Sequence, residues 1–171
     1  MIIIYWSVPR FVGAHFKSSN LGLQEDIKQK NFESAFQKVL LNILYTSEYF
    51  SNKVRSILKS FDLTEPQFNI LRILAGSNPK SLSPGDIKKV MVFKRSDLTR
   101  MMDRLESKEL IKRKICTENR RQVNINITES GLKVLSKVNP VINQEIYSDI
   151  SHNINEKEAD ILSQLLDKLR V

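Results

Sequence analysis

From Phe32 onward, apolar residues recur at helical intervals. Phe32, Phe36, Val39, Ile43, Phe50, Val54, Ile57 and Phe61 are spaced by three, four or seven residues, so they share one face. The pattern predicts a helix of about 28 residues, long for a domain of this size. Such a helix outreaches a small core, and Phe32 and Phe36 at its free end need another surface to cover them. A partner subunit is the natural candidate. A second helix opens at Thr64, where Thr64 and Gln67 form a capping box, and stops at Gly76 with Asn78-Pro79 beyond. Ser83-Pro84 reads as an N-cap followed by proline at the first helical position, opening a short helix to about Met91. A fourth helix is expected from near Arg95-Ser96 to about Lys108.

Strand-like alternation follows. Leu110, Ile111 and Ile115 lead up one strand and Val123, Ile125 and Ile127 come down another, with Thr117-Glu118-Asn119-Arg120-Arg121 between them. Thr128 caps a further helix carrying Leu132, Leu135, Val138, Val141, Ile142 and Ile146, which Pro140 is expected to kink or split. Asn155 with Glu158 signals the start of a last amphipathic helix holding Ile161, Leu162, Leu165, Leu166 and Leu169. The order defines a mainly α chain with a small β element (α+β): a winged helix-turn-helix with long N- and C-terminal dimerisation helices. Its expected divisions are an N-terminal extension (1–30), a dimerisation helix (31–62), a DNA-binding domain (63–128) and C-terminal dimerisation helices (129–171).

Charge sharpens this picture. The formal net charge is +8, and between Lys80 and Arg121 there are 13 Lys/Arg against six Asp/Glu. Charge crowded into one quarter of a chain costs self-repulsion, and a polyanion whose counterions are released on binding supplies a reason for it. A basic surface kept for solubility is the plainer alternative. Composition narrows the classes further. A hydrophobic fraction of 41% argues against wholesale disorder, and no apolar run approaches the roughly 18 residues that span a bilayer. The apolar Ile2-Ile3-Ile4-Tyr5-Trp6 is broken early by Ser7 and Pro9 and is a poor match to a secretory signal. The single cysteine, Cys116, excludes an internal disulfide framework and fits a reducing cytoplasm. The only histidines, His15 and His152, are far from Cys116 in the chain. With no metal-spaced cluster and no Gly-rich phosphate loop, neither an enzyme nor a cofactor is expected.

The fourth helix carries the chemistry. Leu98, Met101, Met102 and Leu105 mark its inward face, and the other side offers Ser96, Arg100, Asp103 and Ser107, flanked by Thr99 and Arg104. A helix fits the major groove, where hydroxyl and guanidinium groups read base edges. Lys94, Arg95, Ser96, Thr99, Arg100 and Arg104 are the candidate contacts there. Asp103, being anionic, is expected to pair with a neighbouring arginine. Arg120 and Arg121 sit at the hairpin tip, suited to a minor groove or a phosphate backbone, or else to plain solubility. Met91, Met101 and Met102 read as core filler.

The run Arg95-Ser96-x-x-Thr99-Arg100-x-x-Asp103-Arg104-Leu105-Glu106, then Leu110-Ile111-x-Arg113, Asn119-Arg120-Arg121 and Ile127-Thr128-x-x-Gly131, resembles the core signature of MarR-type regulators. The resemblance covers about residues 32–170. It implies a homodimer with interlocked terminal helices, two winged domains on a pseudo-palindromic operator, and Arg121 as the wing arginine. It also implies a ligand-responsive repressor whose effector, often small and aromatic or phenolic, sits between the dimerisation helices and the DNA-binding domain. Tyr45, Tyr49 and Phe50 are near enough in sequence to line such a pocket, and helix packing explains them equally. Some relatives switch through a cysteine near the N-terminal helix. This chain has none there, and Cys116 reads as a small strand residue. Two positions depart from the family pattern: Asn119 stands where Asp is usual, and Glu109 where Gly is usual, although non-Gly residues resist positive φ. The rival to DNA binding is a winged-helix module for protein–protein contact.

Overall fold

The computed structural model describes residues 22–93, 97–115 and 123–170. The chain divides into two compact units, Met1–Tyr49 and Phe50–Val171. In the first, α1 (Leu23–Asp26) is a single turn with Leu23 buried, an element the sequence pattern did not announce. Helix α2 (Ala35–Lys59) starts three residues after Phe32, because the Ser34 hydroxyl accepts the Gln37 N–H at 3.1 Å and ends the preceding loop. It runs for 25 residues and crosses from the first unit into the second. Its N-terminal half leaves Phe36, Val39, Leu40 and Leu44 exposed, Phe36 at 86%.

The second unit holds the core. Ile57 and Leu58 of α2 pack with Phe68, Ile70, Leu71 and Leu74 of α3 (Glu65–Ser77), Ile87 of α4 (Pro84–Val90), and Met102 and Leu105 of α5 (Leu98–Ser107). The expected capping box forms at Thr64–Gln67, and the expected Ser83 cap gains a box partner in Asp86 that the sequence reading did not name. Strands β1 (Ile111–Ile115) and β2 (Val123–Ile127) pair antiparallel with Ile111 opposite Ile127. Leu82 adds a third, one-residue rung by exchanging backbone hydrogen bonds with Ile125 at 2.9 and 3.0 Å. The sequence gives no sign of it, because a single residue between two serines shows no alternation.

Beyond β2, α6 (Glu129–Ile142) begins at the Thr128 cap and runs unbroken through Pro140. Of the expected kink or split, the split does not occur, and the pitch changes beyond the proline. A π-helical stretch at Asn143–Tyr147 leads into α7 (Ser148–Asn153), and the helical path ends only at Ile154. Lys53 of α2 pairs with Asp149 of α7. Helix α8 (Glu156–Lys168) opens on the Asn155–Glu158 capping box and buries none of its residues.

Glu109 settles how the chain turns from α5 into β1. It takes φ 58°, the left-handed conformation, without a glycine. Its N–H bonds Glu106 O at 2.8 Å and the Leu110 N–H bonds Leu105 O at 2.9 Å, the paired bonds of a Schellman ending. A side chain in this conformation costs roughly 1–2 kcal/mol, while glycine costs about 0.5–1 kcal/mol more chain entropy. Glu109→Gly is therefore expected to stabilise the fold by up to about 1 kcal/mol. Chemical denaturation checks this, and a loss of stability would show the left-handed turn to be unstrained.

Candidate nucleic-acid interface

Helix α5 begins later than its sequence suggests. Asp97 is the N-cap, its carboxylate accepting the Arg100 N–H at 3.2 Å, so the helix starts at Leu98 rather than near Arg95-Ser96. Met102 and Leu105 are buried and Leu98 and Met101 half-buried, while Thr99, Arg100, Asp103, Arg104 and Ser107 are exposed. The inward and outward faces are those expected from the period. Helix α4 precedes it, anchored by buried Ile87 and Met91, and Asn69 of α3 holds the connection by accepting the Val92 N–H at 3.1 Å. Lys94, Arg95 and Ser96, with Arg120, Arg121 and Cys116, lie outside the described residues.

Arg100 and Arg104 differ from the other cations of this face. Asp97 is occupied as the cap and Asp103 turns elsewhere, so among the described residues neither guanidinium has an ion-pair partner. Asp103 pairs not with a helix neighbour but with Arg113 of β1, at 2.6 Å. Arg113 also meets Glu106, its Nε donating to Oε2 at 2.7 Å and its backbone N–H donating to Oε1 at 3.1 Å. Donation from Arg113 holds the Glu106 carboxyl below the usual carboxylate range, and the two acids push the guanidinium above its ordinary value. Sequence reasoning did not single Arg113 out for this. The available signal was two acids three residues apart on α5, Asp103 and Glu106, with an arginine on the next strand. Lys112 and Lys114 alternate with Arg113 along β1 and are exposed.

The far end of α5 is tied down as well. Lys108 reaches Asp62 in the α2–α3 turn, with Nζ 2.8 Å from Oδ2 and also donating to the Asp62 carbonyl. Asp62 itself sits at φ 51°. Beside this pair an open cleft of about 740 Å³ is lined by residues that include Arg55, Lys59, Glu65, Arg104, Ser107 and Lys108. Arg55 is engaged by Glu65 at 3.1 Å, and Tyr45, Tyr49 and Phe50 are not among the lining residues. Among the described residues, no group of three or more His, Cys, Asp or Glu is placed to hold a metal ion. No helix among them is long and apolar enough to cross a membrane.

A short helix, a turn and a second helix with an exposed polar face, running into a two-stranded ribbon, define a winged helix-turn-helix protein. Residues 63–123 match the MarR family model. The multiple antibiotic resistance protein MarR of Escherichia coli (strain K12) is 27% identical over 112 residues, spanning 66% of this chain and 76% of that protein. A MarR transcription factor from Planctomyces limnophilus is 28% identical with a TM-score of 0.61, over 82% of this chain and 98% of that one. A mutant MarR from E. coli complexed with operator DNA shares the fold at a TM-score of 0.67 and 24% identity, over 80% of this chain and 99% of that one.

Proposed function

We propose that this chain is a sequence-specific double-stranded DNA-binding transcriptional regulator, acting as a homodimer on a pseudo-palindromic operator. The observation that carries the reading is the outward face of α5, where Thr99, Arg100 and Arg104 stand exposed on a helix whose other side is locked into the core. Arginines without acidic partners among the described residues, on a helix free to enter a major groove, are suited to guanine edges and phosphates. Lys94, Arg95 and Ser96 would extend this contact, with Arg120 and Arg121 on the wing. The MarR protein solved with operator DNA has the same fold, which supports this use of α5. The exposed apolar residues of α2 and α8 support the homodimer, with 31–62 and 129–171 as its dimerisation segments and 63–128 as the reading domain. The cleft beside Arg104 supports a ligand-responsive repressor, since a small anion there would sit against the reading helix. The protein acts by binding, in the cytoplasm, and carries out no reaction.

A duplex selected from random sequence by the protein provides the test. Arg100→Ala is expected to cost roughly 1–3 kcal/mol per half-site and to relax preference at particular base pairs. Arg121→Ala is expected to flatten the salt dependence by roughly one or two counterions per dimer. A wild-type chain with no salt-dependent affinity for any duplex would leave the winged helix as a protein-contact module instead.

A further inference from the structure

The two acids on the reading helix have no obvious place beside a polyanion. Asp103 and Glu106 lie one and two turns beyond Arg100, and either carboxylate raises the cost of bringing phosphates close. Both are bound by one residue. Arg113 holds Asp103 and Glu106 through its guanidinium, and its backbone N–H donates to the Glu106 oxygen that the side chain leaves free. An isolated exposed ion pair contributes little, but this is a planar fork satisfied by two carboxylates, with a backbone bond that fixes the strand itself. β1 and α5 are also joined through the Schellman turn at Glu109, which is under left-handed strain, and through Leu105 and Ile111 in the shared core.

Resting on the DNA-binding reading above, we infer that Arg113 is a positioning residue that locks the β1–β2 ribbon against α5, so that helix and ribbon meet the duplex at one fixed separation. Its acidic partners are kept on the reading helix for this purpose. The guanidinium is spent inside the protein and does not count among the DNA contacts. The exposed Lys112 and Lys114 travel with the strand that Arg113 holds.

The experiment uses the full-length protein and the selected duplex, together with a duplex in which one base pair is inserted between each core half-site and its flank. One base pair shifts the flank by about 3.4 Å along the axis. The wild type is expected to prefer the original spacing by about tenfold, the size of a typical single-position penalty. Arg113→Gln is expected to bind both duplexes within about twofold of each other, and Arg113→Lys, which can serve one carboxylate at a time, to fall between. Glu106→Gln provides the second arm. It removes a negative charge from the helix, so simple electrostatics predicts tighter binding to both duplexes with the preference intact, whereas the positioning role predicts loss of the preference. A weaker binder that keeps the tenfold preference, in either Arg113→Gln or Glu106→Gln, overturns the inference and leaves a merely stabilising ion pair. A wild type that binds neither duplex overturns the DNA-binding reading and the inference with it.

Discussion

Replacing Gly131 with alanine is expected to destabilise the folded protein by about 3 kcal/mol, the upper range for forcing a group into a filled site. Gly131 lies in the first turn of α6, its N–H donating to the Thr128 hydroxyl at 3.0 Å. A Cβ added there would stand 2.3 Å from the Leu110 carbonyl oxygen and 2.7 Å from Cγ1 of Ile127. The side chain of Ile127 can yield, but the carbonyl cannot, because Leu110 O accepts the Thr128 N–H at 3.1 Å and so joins the end of α5 to the start of α6. Relief of the clash must move α6 bodily or break that bond. Thermal unfolding should show a midpoint lower by roughly 10 °C for a chain of this length. A change under about 1 kcal/mol would mean that α6 can slide on the wing without cost.

The second large effect concerns association. Ile161, Leu162 and Leu165 on α8, and Leu169 at its C-cap, are each at least half exposed, and the helix buries nothing within its own chain. Covering a leucine contributes roughly 1.5–3 kcal/mol, and in a two-fold dimer each substitution is made twice. Leu165→Asp is therefore expected to weaken the dimer by at least about 3 kcal/mol, more than a hundredfold in its dissociation constant. Sedimentation equilibrium across a dilution series reads this directly. Unchanged association would place the dimer surface away from α8, leaving its apolar stripe without a role in assembly.

What the sequence determined by itself was set within about four residues, in caps and helix faces. The Thr64–Gln67 and Asn155–Glu158 pairs and the Ser83 cap with Pro84 begin their helices as read, because each signal lies within one helical turn. The same locality made the inner and outer faces of α5 legible, and with them the exposure of Thr99, Arg100 and Arg104. Pro140 is expected to kink or split its helix, and the split does not occur. Pro140 removes one local donor, yet α6 continues through it with Leu135, Val138 and Ile142 buried on one face, and the pitch changes only at Asn143. Tertiary structure alone decided the pairings between distant residues. Asp103 answers to Arg113 ten residues away rather than to an arginine on its own helix, and Lys108 closes on Asp62, 46 residues earlier. Leu82 finds Ile125 in a one-residue bridge, and Glu109 accepts a left-handed φ that its residue type disfavours. These choices compare whole arrangements of packed elements. A local preference of about 1 kcal/mol is outweighed when a buried core such as Leu105, Leu110 and Ile111 fixes where the chain must turn.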